Sequence, residues 1–285
     1  MTTEDKSLIL IVEDNPLTLY VLIEYLERLN LKTVIARSGE EALRQVESLN
    51  PDLILLDVMM PGIDGFETCR RLKGNIHTQE IPVMFITALS NTSERVKGFE
   101  AGGVDYITKP FDFKEVATRI ESRLTIQRLQ RKLKMRDSLL SFGEPISITD
   151  EKATILIVED NAMTLHLLLG YLDKFGFNTI GAESGENALE LVNQTVPDLV
   201  LLDVMLPGID GFETCRQLKK HFTTRDVPVI FMTALTDTEA KIKGFEAGGA
   251  DYIIKPHHYA EVLSRIRTHL TIQTLKRLLQ QRPKK

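Results

Sequence analysis

The sequence predicts two tandem α/β domains. Each is a doubly wound (βα)5 unit with a five-stranded parallel sheet, and an extended helix and short linker join them. Three observations carry this. First, Leu53-Ile-Leu-Leu-Asp57-Val-Met-Met-Pro-Gly62 returns as Leu199-Val-Leu-Leu-Asp203-Val-Met-Leu-Pro-Gly208. An apolar run stopped by an aspartate and a Pro-Gly turn reads as a strand buried on both faces of a parallel sheet. Second, a shift of 146 residues aligns the chain with itself from about Ile9 to Leu133. A period that long marks whole domains, not solenoid repeats. Third, strand-like and helix-like segments alternate within each copy, which calls for right-handed crossovers with helices on both faces of the sheet.

Strands are predicted near Leu8–Val12, Thr33–Ala36, Leu53–Asp57, Pro82–Ile86 and Asp105–Ile107. Leu19, Leu22, Ile23 and Leu26 fall at i, i+3, i+4 and i+7 and make one apolar helical stripe. Ser38-Gly-Glu-Glu41 opens the next helix with a Ser-x-x-Glu capping pattern, and Pro51 follows it. The same map, moved by 146, serves the second copy. Leu124 to Asp137 holds no helix breaker and should continue the last helix of the first domain, until Gly143 and Pro145 break it. The equivalent C-terminal helix is expected over Leu270–Gln281. The domains are therefore read as 6–126 and 152–272, with a helical extension and linker over 127–151 and the C-terminal helix end and basic tail over 273–285.

Composition excludes several classes. A net charge of −5 gives no support for general nucleic-acid binding. No apolar run approaches the roughly 20 residues of a membrane span, and the N-terminus lacks a signal-peptide profile. The two cysteines, Cys69 and Cys215, occupy equivalent places and read as small buried residues. A cytoplasmic protein is expected. The basic residues Arg123, Arg128, Arg131, Lys132, Lys134 and Arg136 read as a solvated helical face. His257-His258 replace Phe111-Asp112 and read as surface variation, because neighbouring residues point apart and no third metal ligand is evident.

The chemistry follows from what stands at the strand ends. Strand one ends in Glu13-Asp14, strand three in Asp57, strand four in Thr87, and strand five leads to Lys109. Three carboxylates at one edge repel one another and call for a positive partner. Hard oxygen ligands with spare waters suit Mg2+ beside a phosphate. A hydroxyl and an ammonium at the same edge can hold phosphoryl oxygens. The second copy repeats the set as Glu159, Asp160, Asp203, Thr233 and Lys255.

Those residues make the chain resemble tandem receiver domains of bacterial two-component response regulators, over about 6–124 and 152–270. The resemblance implies the flavodoxin-like fold and an aspartyl phosphate on Asp57 and Asp203. The phosphate would come from a sensor histidine kinase or histidine phosphotransfer protein. It implies Mg2+ held by Glu13, Asp14, Asp57 and the Met59 carbonyl, and by Glu159, Asp160, Asp203 and the Met205 carbonyl. Thr87, Lys109 and Tyr106, with Thr233, Lys255 and Tyr252, match the phosphate-binding and switch positions. Cis peptides are implied at Lys109-Pro110 and Lys255-Pro256. Phosphate would shift the face of the fourth helix, fifth strand and fifth helix between two packings. That face or the extended helices could carry a homodimer. Apolar Met59, Leu89, Met205 and Leu235 offer nothing to position an attacking water, so slow self-dephosphorylation is expected. No separate output enzyme is read in the chain. Two alternatives stay open: the regulatory part of a longer regulator, such as a diguanylate cyclase, and a phosphorylation-independent scaffold.

Overall fold

In the computed structural model the described residues are 6–88, 97–111, 113–139, 152–234, 238–255 and 259–280. The chain divides into two compact units, Met1–Arg128 and Leu129–Lys285. The first unit runs β1 (Leu8–Val12), α1 (Pro16–Arg28), β2 (Lys32–Ala36), α2 (Gly39–Leu49), β3 (Leu53–Asp57), α3 (Gly65–Gly74), β4 (Val83–Thr87) and β5 (Asp105–Thr108). Helix α4 (Phe113–Leu139) follows and continues beyond the unit's last residue, as the lack of breakers predicts. The second unit runs β6 (Thr154–Val158), α5 (Ala162–Lys174), β7 (Asn178–Ala182), α6 (Gly185–Gln194), β8 (Leu199–Asp203), α7 (Gly211–Lys220), β9 (Val229–Thr233), α8 (Thr238–Glu246), β10 (Asp251–Ile254) and α9 (Tyr259–Gln280).

All strand pairs are parallel, in the order β2-β1-β3-β4-β5 and, in the second unit, β7-β6-β8-β9-β10. The order reverses between β1 and β3, and a crevice opens at the carboxyl ends where it does so. Side chains of each strand alternate between two cores. Leu10, Val12, Ile54, Leu56, Val83, Phe85 and Tyr106 pack on the side of α2 and α3, with Ala42, Val46, Cys69 and Leu72. Ile9, Ile11, Leu53, Leu55, Met84, Ile86 and Ile107 pack on the side of α1 and α4, with Leu22, Leu26, Val116 and Ile120. Burial on both sides explains why β3 reads as an unbroken apolar run.

Element edges depart from the sequence reading in a few places. β2 begins one residue earlier, at Lys32, and β5 runs one further, to Thr108. β4 is Val83–Thr87, because Pro82 lacks an N–H and enters the ladder only as acceptor for Ile54 N at 3.0 Å. Ser38 caps α2 through Glu41 N at 3.2 Å, but the Glu41 carboxylate returns to Arg37 N at 2.7 Å, one residue short of a capping box. The C-terminal helix is described as far as Gln280, and Gln281 lies outside the described residues. Arg123 is not part of a solvated stripe, since its guanidinium donates to Val104 O at 2.5 Å. Arg128, Arg131 and Lys132 are exposed, and the side chains of Lys134 and Arg136 lie outside the described residues. So do Leu89, Leu235, His257, His258 and the Lys255-Pro256 bond; the Lys109-Pro110 bond is cis.

A tight helix start fixes the acceptor strand. Gly65 N donates to Val58 O at 3.0 Å, and a β-carbon at Gly65 would fall 2.3 Å from Asp57 O. Gly211 repeats this at 2.1 Å from Asp203 O. Gly65→Ala should therefore cost about 1–3 kcal/mol in urea unfolding through overpacking against backbone; an unchanged midpoint would contradict the close approach. Cys69 and Cys215 are free and buried, and burial pushes each thiol from its ordinary 9.0 up to about 11. The folded pKa lies above the unfolded one, so stability should fall as pH rises from about 9 to 11. Native protein should resist iodoacetamide at pH 8 and react once denatured; labelling at equal rates in both states would sink this.

Candidate functional site

Val12 pairs with Leu56 across β1 and β3, and Glu13 extends the ladder through its N–H to Ala36 O at 3.1 Å. Glu13 and Asp57 are the next residues on each strand. Alternation puts both on the side of Ile9, Ile11, Leu53 and Leu55. Asp14 follows, exposed to solvent. One carboxylate oxygen from each of Glu13, Asp14 and Asp57 lies within 4.8 Å of the others, and Glu159, Asp160 and Asp203 form the same group. Asn15 caps α1 and sends its own N–H to Glu13 Oε1 at 3.1 Å, so the helix start also braces the acid.

Lys109, delivered by the end of β5, answers the charge. Its Nζ donates to Glu13 Oε2 at 2.7 Å and Asp57 Oδ2 at 2.8 Å. Lys255 donates to Glu159 and Asp203, both at 2.6 Å. Glu13 is fully buried, and burial, with the neighbouring Asp57 charge adding to it, pushes its carboxyl up to about 7 against the pull of Lys109. Burial raises Glu159 in the same way. For Lys109 and Lys255 burial works against the charge, but the bonds to the paired carboxylates outweigh it and the net shift is upward.

The remaining predicted positions are split between the two sides of the sheet. Met59 and Met205 expose their side chains, and their N–H groups donate to Asp57 Oδ1 at 3.3 Å and Asp203 Oδ1 at 3.1 Å. Thr87 and Thr233 are buried at the ends of β4 and β9. Alternation turns Thr87 to the side of Val83, Phe85 and Tyr106, opposite to the acids. Tyr106 and Tyr252 point inward, edge-on to Phe99 at 6.2 Å and Phe245 at 6.0 Å. In the second unit a water-sized cavity of about 10 Å³ lies among Val204, Phe231, Thr233, Phe245 and Tyr252.

Sequence reasoning missed a buried ionic group under the fifth strand. Arg119 meets Glu115 at 3.3 Å and Asp105 at 3.4 Å; Arg265 meets Glu261 at 3.2 Å and Asp251 at 3.0 Å, with His269 3.4 Å from Asp251. The available signal was a Glu-x-x-x-Arg pair on the inner face of an otherwise apolar helix. Because those charges are buried, they couple β5 and β10 to the helices that follow them.

Each of the two α/β domains thus carries an acid–lysine rim at the carboxyl edge of its sheet. The description "Response regulator receiver domain" matches residues 9–121 and 155–267. The chain belongs to the response regulator receiver family and carries two such domains in tandem. Response regulator PleD of Caulobacter vibrioides (strain NA1000 / CB15N) is 31% identical over 267 residues, covering 92% of this chain and 58% of PleD. The chain thus spans little more than half the length of that relative. The phosphate regulon transcriptional regulatory protein PhoB of Escherichia coli (strain K12) is 40% identical over 113 residues, 40% of this chain and 49% of PhoB. Among solved structures, the BeF3-activated N-terminal receiver domain of Klebsiella pneumoniae RstA is 37% identical. It covers 41% of this chain and 97% of its own, with a TM-score of 0.39.

Removing the lysine should expose the repulsion that it offsets. Lys109→Met leaves two buried carboxylates without their shared cation and should lower stability in metal-free buffer by about 3 kcal/mol. Urea denaturation of the variant with an unchanged midpoint would refute this account of the rim.

Proposed function

We propose that both domains are phosphoacceptors of a two-component relay. Asp57 and Asp203 take a phosphoryl group from a phosphohistidine on a sensor histidine kinase or histidine phosphotransfer protein. The supporting observation is the convergence, twice in one chain, of three acid oxygens within 4.8 Å around a buried lysine contact. The donor set is all oxygen, one acid stays open to solvent, and the buried acids lack enough positive charge, which fits a divalent ion that keeps its waters. Glu13, Asp14, Asp57 and the Met59 carbonyl would hold Mg2+, and Glu159, Asp160, Asp203 and the Met205 carbonyl would do so in the second domain. When bound, the ion neutralises charge on the transferring oxygens.

The rest falls to the chain's own residues. An Asp57 oxygen bonds to phosphorus as the donor's phosphorus–nitrogen bond breaks, and the electron pair leaves with the imidazole. The Lys109 ammonium, freed from one carboxylate, donates to a phosphoryl oxygen. Thr87 binds another from the opposite side of the sheet. Positioning and preset charge supply most of the rate. The engaged threonine leaves room that Tyr106 or Tyr252 fills, and the small cavity between Thr233 and Tyr252 supports this in the second domain. The receiver domains are taken as 6–126 and 152–272. Their chemistry is limited to gaining and losing this phosphate, and the output is altered protein contact, including self-association through the fifth-strand face or the extended helices. On this reading the protein works in the cytoplasm. No helix among the described residues is long and apolar enough to cross a membrane.

A second reading makes the chain the regulatory part of a longer regulator. It is favoured by the coverage of PleD, which is matched over 92% of this chain but only 58% of its own length. The intact mass of the natural product separates the two readings.

With a small-molecule phosphodonor and Mg2+, Asp57→Asn and Asp203→Asn should each still take label on the other domain, and the double variant should take none. A single variant that takes no label would break the claim for two acceptors. Asp14→Asn, in an Asp203→Asn chain, should weaken Mg2+ binding about tenfold or more, as loss of a ligating or supporting acid does, while leaving the thermal midpoint near the parent's because Asp14 is exposed. Retained affinity would remove Asp14 from the ligand set. A phosphate half-life of seconds in either domain would contradict slow self-dephosphorylation.

A further inference from the structure

The second helix of each domain reaches back to the loop that leaves the acceptor strand. Glu40, in the first turn of α2, accepts a hydrogen bond from Ile63 N–H through Oε1 at 3.1 Å. Glu186, in the first turn of α6, accepts one from Ile209 N–H at 3.0 Å. The preceding residues, Gly62 and Gly208, have φ of +82° and +77°, a region side-chain-bearing residues rarely enter. A β-carbon built on them would fall 2.6 Å and 2.4 Å from the same carboxylate oxygens. The turn is therefore shaped around the carboxylate. Bonds from its own backbone amide and from Ile63 hold Glu40 below the usual carboxylate range, and Glu186 is held down by the equivalent pair.

These contacts are not a by-product of helix capping. The next residue differs between the copies, Glu41 in one and Asn187 in the other, yet the carboxylate-to-loop bond keeps its geometry. Glu41 itself bonds to Arg37 N and Gln45, not to the loop. The loop between Asp57 and α3 is tied at its start by Met59 N–H on Asp57 and at its end by the Asp64 cap on Glu67 N at 2.7 Å. Glu40 holds the stretch between those ties. That stretch follows directly on Met59, whose carbonyl is the one backbone group in the ligand set above.

We propose that Glu40 and Glu186 are positioning residues that hold the loop after the acceptor so that the Met59 and Met205 carbonyls stay aimed at the cation. The inference rests on the phosphoacceptor reading. One acid per domain, some distance along the chain from the rim, thereby sets how well that rim takes a divalent ion.

The test uses the full chain carrying Asp203→Asn, so that only the first domain reports. The Mg2+ dissociation constant, phosphoryl uptake from acetyl phosphate at saturating Mg2+, and the thermal midpoint are measured for this parent and for E40A, E40Q and E41A added to it. E40A should weaken Mg2+ binding about fivefold, the worth of one net hydrogen bond, while uptake at saturating Mg2+ returns to within about twofold of the parent. E40Q keeps an acceptor oxygen and should bind Mg2+ within about twofold of the parent. E41A removes a first-turn carboxylate that does not touch the loop. It should lower the thermal midpoint without moving Mg2+ affinity. Parent-like Mg2+ affinity in E40A overturns the proposal, as does equal weakening in all three variants. A parent that binds Mg2+ and takes phosphate keeps the phosphoacceptor reading whatever the Glu40 variants do; a parent that does neither removes both. If E40A does not fold, E186A in an Asp57→Asn chain gives the same readout in the other domain, and failure of both to fold assigns the bond to the fold alone and overturns the proposal.

Discussion

Like charges held at one rim are the constraint from which the rest of each domain follows. Two carboxylates about 4 Å apart repel by roughly 4 kcal/mol at an effective dielectric of 20. Here one of the pair, Glu13, is fully buried and cannot turn to water. The lysine that follows β5 is the domain's own answer, and its bonds to Glu13 and Asp57 tie the ends of β1 and β3 to that of β5. A third acid, Asp14, stays in solvent, and the charge balance at the rim remains negative.

The sheet separates the acids from the threonine and the tyrosine. Residues on the side of Ile9 and Leu53 end in the acids, next to α1 and α4. Residues on the side of Val83 and Phe85 end in Thr87 and include Tyr106, next to α2 and α3. The carboxyl edge therefore presents groups from both layers, the acids bonded to Lys109 on one and Thr87 on the other. The ionic group of Asp105, Glu115 and Arg119 sits directly behind Tyr106, whose ring lies 6.0 Å from the Arg119 guanidinium.

Much of this was legible in the sequence, because the copies repeat the same strand-end residues in the same order. Apolar runs marked the strands, and the acids and the amine at their ends marked the rim. What escaped was governed by contacts between residues distant in sequence. The β4 boundary moved because Pro82 can accept but not donate. Lys73 looks like a surface charge on α3, yet its ammonium closes on Gln79 O and Ile81 O at 2.7 Å each, and burial lowers its pKa. Lys219 repeats this on Arg225 O and Val227 O. Glu40 and Glu41 are indistinguishable as letters, and only the fold sends one to the loop and the other to Arg37.

The division of every strand between two cores has a further consequence. One residue added to or removed from Leu53–Asp57 would turn every side chain on one side of the change to the other face, sending apolar groups into the wrong layer or the acceptor to the threonine's side. Exchange of one side chain for another disturbs a single layer. The two halves of this polypeptide differ in just that way, with many replaced letters and no gained or lost position between Ile9 and Leu133 and its counterpart.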